Sequence, residues 1–370
     1  MCISEGTDDM DATLDQSSPR SMRESFGDFF YSQETPYGIA LMRIALPSVL
    51  LFVVVPRWFH ARELFSSDGA TASLATNYGA FDFPPEPSGA VAVALMTLLI
   101  LTLISSSIGW YTRVSLVISF SLYTYLNLLD CLSTLTKYSV ISSHLLLLLA
   151  LSPCGSVWSM DRWTSKEKLR PRFHIWPRRL MQLLIGLIYL GAATTKLHTN
   201  TYFTSDQLRY WMMTDVNNNN PAGEILSFYP ELLILMANVA ILWQLVFVFV
   251  VWQPRVRVVA LGMGAFFHLT TTPTLGLYIF PFVMLSSYLC FLSEHDVRRA
   301  RIFVRKQLRK SEFFVQFRSR LKILRLSRSP RPVPQTLTTV ASQGRIVWLR
   351  SFYVWGAILL GSTVAGVAAG

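Results

Sequence analysis

Lys196 stands in the run Gly191-Ala192-Ala193-Thr194-Thr195-Lys196-Leu197-His198, at the tail of a long apolar segment, and an amine so placed has two readings. Small residues let neighbouring helices approach closely, and close packing would desolvate the amine and favour its neutral, basic form. In the other reading the side chain snorkels outward to lipid headgroups. An acidic neighbour, or the negative end of its own helix, would hold it protonated.

Other polar groups lie in apolar runs, where a charge costs at least about 2.5 kcal/mol and so faces a cavity or a partner. At about 1.5 Å rise per residue, Lys196 and Asp130 each lie about 24 Å along their helices, while His144 lies about 9 Å below the outer surface. Three titratable side chains on three helices thus share one level, with Glu231 at its rim. His268 lies about 15 Å into its own helix, deeper than Lys196, which is either a proton-relay geometry or a misplaced helix. Taken alone, His268 and His144 are hydrogen-bonded packing residues, and Arg43 pairs with a carbonyl or a lipid phosphate.

No GxSxG, P-loop or HExxH sequence is present, and Cys2, Cys131, Cys154 and Cys290 are too dispersed for a disulfide framework or a zinc site. The chemistry therefore rests on single side chains and on the helices that position them.

Those helices are read from the apolar runs. With 370 residues, 52% apolar and 15% charged, the chain gathers its apolar residues into long stretches, which excludes an ordinary soluble domain. A spanning helix needs about 20 mostly apolar residues. Runs fall at Ile39 to Val55, Ala90 to Ile108, Val114 to Leu132, Tyr138 to Ser152, Leu180 to Leu197, Leu232 to Trp252, Val258 to Thr272 and Leu275 to Leu292. A ninth runs from Ser351 to Ala369. The fold expected is all-α, a polytopic transmembrane bundle of eight core helices with a ninth at the C-terminus.

Residues 1–35 read as a disordered acidic cytoplasmic tail, 36–295 as the transmembrane domain, 296–346 as a basic amphipathic segment and linker, and 347–370 as the last helix. With the N-terminus inside, 27 of the 33 Lys and Arg residues fall on the cytoplasmic side. Only Arg57, Arg62, Lys137 and Arg209 fall outside, so the positive-inside rule sets the orientation in a plasma or inner membrane.

Between Val297 and Arg328 twelve basic residues alternate with Ile302, Phe303, Phe313, Phe314, Phe317, Leu321 and Leu324. Such a stretch beside a membrane helix is expected to lie on anionic lipid, not on nucleic acid, and a protein partner is the remaining alternative. Pro330, Pro332 and Pro334 mark a linker, and Asn217 to Asn220 a flexible spacer.

Several features recur in a particular order: Arg43 within Leu41-Met42-Arg43-Ile44, Ser67-Asp68-Gly69, and Trp158-Ser159-Met160-Asp161. Tyr189 with Gly191 and Lys196-Leu197 follow, then Phe267-His268 and Phe280-Pro281-Phe282. This order resembles the HTTM family, the membrane domain shared with vitamin K-dependent gamma-carboxylase, over roughly residues 35 to 295. The resemblance implies that Lys196 is the base that starts oxidation of a quinol such as vitamin K hydroquinone; the shared depth adds Asp130, His144 and Tyr189 as the residues expected to tune it, with His268 deeper in the bundle.

There are departures. Asn200, Tyr202, Phe203 and Ser205 replace the family's Asp-x-x-Trp and Gly after the lysine, and Tyr138 takes the place of its helix-four histidine. The carboxylase's large lumenal region is absent, which argues against glutamate carboxylation. Two functions stay open. One is quinol oxidation or epoxidation at an outward-facing, quinone- or lipid-sized cavity. The other is a non-enzymatic protein that binds or transports a lipid or small molecule, or senses a partner.

Overall fold

Residues 22–35, expected as part of a disordered tail, are instead folded against the rest of the chain. The computed structural model describes residues 22–73, 85–130, 137–166, 172–214 and 221–310. Helix α1 (Met22–Tyr31) spaces Met22, Phe26, Phe29 and Phe30 along one side. Strand β1 (Gln33–Glu34) then pairs antiparallel with β2 (Phe173–His174), far along the chain. What sequence reading missed is that apolar spacing: an acidic composition hid an amphipathic turn.

Eight apolar helices among the described residues make up the bundle. The first is α2 (Tyr37–Trp58), followed by the short α3 (Ala61–Phe65) and by α4 (Gly89–Ile108). Next come α5 (Thr112–Leu128), α6 (Tyr138–Leu151), the short α7 (Met160–Thr164) and α8 (Trp176–Leu197). The segment expected as an outer loop folds into α9 (Asn200–Phe203), α10 (Asp206–Met213) and α11 (Pro221–Ser227). Then follow α12 (Pro230–Val250), α13 (Arg257–Leu275), α14 (Ile279–Tyr288) with a 3-10 turn at Leu289–Phe291, and α15 (Glu294–Lys310).

Five of these, α2, α4, α8, α12 and α13, are long and apolar enough to cross a membrane. The fold is all-α. The expected third span stops at Leu128, short of Leu132. The expected seventh runs on through Pro273 to Leu275, so the eighth begins only at Ile279. Gly276, at φ +66°, makes the turn between them by adopting a left-handed conformation open to glycine at little cost.

Helix α2 is the hub, with Met42, Leu46 and Leu50 wholly buried against α4, α6 and α14. Leu101, Leu187, Leu235, Leu242, Phe249, Val258 and Phe266 face outward from the bundle, the pattern of a helix set whose solvent is hydrocarbon. The described residues up to Arg298 form one compact unit; from Arg299 a second begins, described only as far as Lys310. Most of the basic stretch, the Pro330 to Pro334 linker, the ninth helix at Ser351 to Ala369 and the Asn217 to Asn220 run lie outside the described residues, as do Cys2 and Cys131.

Two joints fix the end at which α2 begins, here the proximal end. Arg43, wholly buried, donates to the carbonyls of Ser106 (2.7 Å), Ser107 (2.8 Å) and Trp158 (2.7 Å), so it pairs with carbonyls and caps the end of α4. Asp161 accepts from the amides of Tyr111 and Thr112, both at 2.8 Å, and from Thr112 Oγ1 at 2.6 Å, capping α5 from another segment. Gly109, at φ +80°, lies where any Cβ would strike Ser159 and Arg43. Arg43, Trp158 and Asp161 are thus framework.

Candidate functional site

Helix α8 carries its polar residues on one face. Arg178, Gln182, Tyr189 and Lys196 recur at spacings of four and seven, the repeat that keeps side chains on one side of a helix. That face packs against α12 and the 3-10 turn at Leu289–Phe291.

At the proximal end Arg178 forms an ion pair of 2.8 Å with Glu34, and Gln182 donates to the carbonyl of Cys290 at 2.9 Å. Burial raises the proton affinity of the Glu34 carboxyl, and the Arg178 and Arg179 charges oppose that rise.

Seven residues on, Tyr189 lies 2.6 Å from His268 Nε2 and bonds to the hydroxyl of Tyr288. All three are buried, under Phe247 and Phe280, and among the described residues His268 Nδ1 has no hydrogen-bond partner. His268 therefore sits level with Tyr189, about two turns below Lys196, as the partner of that hydroxyl. Gly264 makes room for this group: a Cβ there would meet the Tyr288 hydroxyl.

At the distal end Lys196 does not snorkel outward. Its side chain folds back along α8 to the carbonyl of Ala192 (3.3 Å) and donates to Gln244 Oε1 on α12 (3.1 Å). The Tyr202 ring of α9 lies 5.5 Å from the amine, ring centroid to Nζ. Burial pushes the Tyr202 hydroxyl up to about 12, so it is neutral at ordinary pH. Helices α9 and α10 lie over α12, burying Tyr202, Leu208 and Met212 against Leu233 and Ile241. Ser205 takes φ +67° in this cover, where the family pattern has glycine.

The other residues at this level are not assembled around Lys196. Asp130 is buried and ion-paired with Arg57, the last turn of α2, whose guanidinium also stacks 5.3 Å from the Phe65 ring centroid. Arg57 was expected in an outer loop; the extra turn of α2 carries it into the bundle. His144 is exposed and, among the described residues, bonds to the Val140 carbonyl of its own helix (2.8 Å). Glu231 is exposed in the first turn of α12. Sequence reasoning missed Gln244, Gln182, Arg57 and Tyr288; the spacing along α8 points to Gln182, and nothing local marked the others.

A cleft of about 410 Å³, lined by Tyr111, Arg113, Pro153, Asp161 and Phe173, lies at the proximal end, remote from Lys196.

Comparison with known proteins agrees with the framework. The family model described as HTTM domain matches residues 31–295. Neither the curated proteins nor the solved structures yield a match.

Proposed function

Since the chain belongs to the HTTM family, we propose that this integral membrane protein uses Lys196 to accept a proton from a lipophilic quinol-type ligand at the distal end of the bundle. The observation that carries this is the company the amine keeps. It turns into the bundle, its described partners are an amide oxygen and a backbone carbonyl, and among the described residues no carboxylate is in ion-pair contact with it. An ammonium locked to a carboxylate holds its proton, whereas one held by neutral acceptors exchanges it without parting an ion pair.

A second reading has its own observation. Asp130, His144 and Tyr189 are engaged elsewhere, so the acid and imidazole expected from their depth to tune a base are not beside Lys196. The same site would then hold an acidic lipophile without turning it over. Both readings put the proximal end in the cytoplasm and lay the basic segment from residue 297 onward on anionic lipid.

Occupancy of the site is tested by protection. The purified chain in lipid nanodiscs is acylated with and without a long-chain naphthoquinol, and each lysine's modification is read by peptide mass. Slower acylation of Lys196 with unchanged Lys137 is the expected result. Equal acylation of Lys196 in both samples would rule the site out.

A further inference from the structure

We propose that Gln244 is the second working residue of the Lys196 site: its carbonyl aims the amine, and its amide N–H₂ binds the oxygen that the amine deprotonates. This rests on Lys196 as the proton acceptor.

Gln244 is 4% exposed in a stretch of α12 otherwise built of Leu242, Trp243, Leu245, Val246 and Phe247. An amide in such a helix is costly unless its polar atoms are used. Its oxygen is used: lysine offers donors only, so the amide must present Oε1 to Lys196, 3.1 Å away. That orientation fixes where the nitrogen points. Among the described residues Gln244 Nε2 has no hydrogen-bond partner and is not sealed from its surroundings, leaving a reachable donor beside the amine.

The amine has one direction left. Of its three tetrahedral positions, two are taken by Gln244 Oε1 and by the Ala192 carbonyl. The third carries the proton in the ammonium and the lone pair in the free amine. A ligand hydroxyl meeting that lone pair is also within reach of the spare N–H₂, because one amide supports both. In the step, the ligand O–H bond breaks, its electron pair stays on oxygen, and an N–H bond forms at Lys196 Nζ. The new oxyanion accepts from the ammonium and from Gln244 Nε2–H.

The ligand class follows from this chemistry. It is a weakly acidic hydroxyl on an apolar body, such as a phenol, naphthol or quinol. A carboxylic acid, already ionised, brings no proton.

The test uses a naphthol with a long alkyl chain, whose absorbance separates naphthol from naphtholate, and the full chain in nanodiscs at pH 7. The wild type should bind it with the naphtholate band. Gln244→Leu should weaken naphtholate binding about tenfold or more, the loss of one hydrogen bond to a charged oxygen. Gln244→Glu should abolish the band, because the carboxylate claims the ammonium. Gln244→Met, close in shape to glutamine, guards against misfolding and should behave as Gln244→Leu. If Gln244→Leu and Gln244→Met bind naphtholate like the wild type while Lys196→Leu loses the band, the role of Gln244 is overturned and that of Lys196 stands. If Lys196→Leu gives the wild-type spectrum, the Lys196 reading itself fails.

Discussion

Tyr189 on α8 and His268 on α13 are joined by a 2.6 Å hydrogen bond in the buried centre of the bundle, and Tyr288 of α14 completes the group. Three helices are therefore registered against each other by three side chains, two turns below Lys196. The space for them comes from Gly264, where a Cβ would strike the Tyr288 hydroxyl.

Gly264→Ala should accordingly destabilise the protein by about 1–3 kcal/mol, the cost of overpacking a filled core. Adding Tyr288→Phe removes the struck atom, so the double variant should lose less than the sum of the singles. Thermal unfolding in detergent would measure both. Strict additivity would show that the two positions do not meet.

Asp130→Asn should be more damaging, since it leaves Arg57 charged and unpaired inside the bundle. Breaking one side of a buried pair costs about 3–5 kcal/mol, whereas replacing both partners with apolar residues is close to neutral. Arg57→Met with Asp130→Leu should therefore unfold at a higher temperature than Asp130→Asn alone. The opposite order would mean that the pair is solvated.

The pH response has a defined sign at the start of α15. Partial burial tends to raise the Asp296 carboxyl, but the Ser293 amide and hydroxyl and the Arg257 guanidinium outweigh it and hold it below the usual range. A carboxyl depressed in the folded state stabilises above its unfolded value near about 4, and that contribution disappears as pH falls through the depressed value. The gap in unfolding temperature between the wild type and Asp296→Asn should thus be widest at neutral pH and close below about pH 4. Taking the difference between variants cancels Glu34, which burial shifts the other way. A gap unchanged from pH 7 to 3 would contradict the assignment.

Topology can be checked independently of chemistry. The charge asymmetry predicts that a cysteine placed at position 216 reacts with a membrane-impermeant maleimide on intact cells, while one at position 300 reacts only after permeabilisation. The reverse pattern would invert the orientation.

The fold was legible in the sequence because a bilayer imposes length and hydropathy on every span, and those signals are local. Lys196 and His268 stood out for the same reason, as polar residues in apolar runs. Their partners did not. Whether Asp130 faces Lys196 or Arg57 depends on which helices are neighbours, and one extra turn of α2 decided it. Depth alone put His144 level with Lys196, yet rotation about its helix turns it outward. Gln244 was hidden because its meaning comes from α8 and not from its own helix. The Arg43, Trp158 and Asp161 positions that carried the family resemblance are joints between helix ends, so they identify the fold more directly than the chemistry.

The most direct trial of the account is aerobic oxidation of a naphthoquinol by the purified chain, wild type beside Lys196→Arg, with dioxygen taking up the two electrons and two protons that the quinol gives up. Arginine keeps the positive charge but cannot give up its proton at ordinary pH. The account predicts turnover of a naphthoquinol by the wild type and none by a folded Lys196→Arg protein. Undiminished turnover by Lys196→Arg would contradict it.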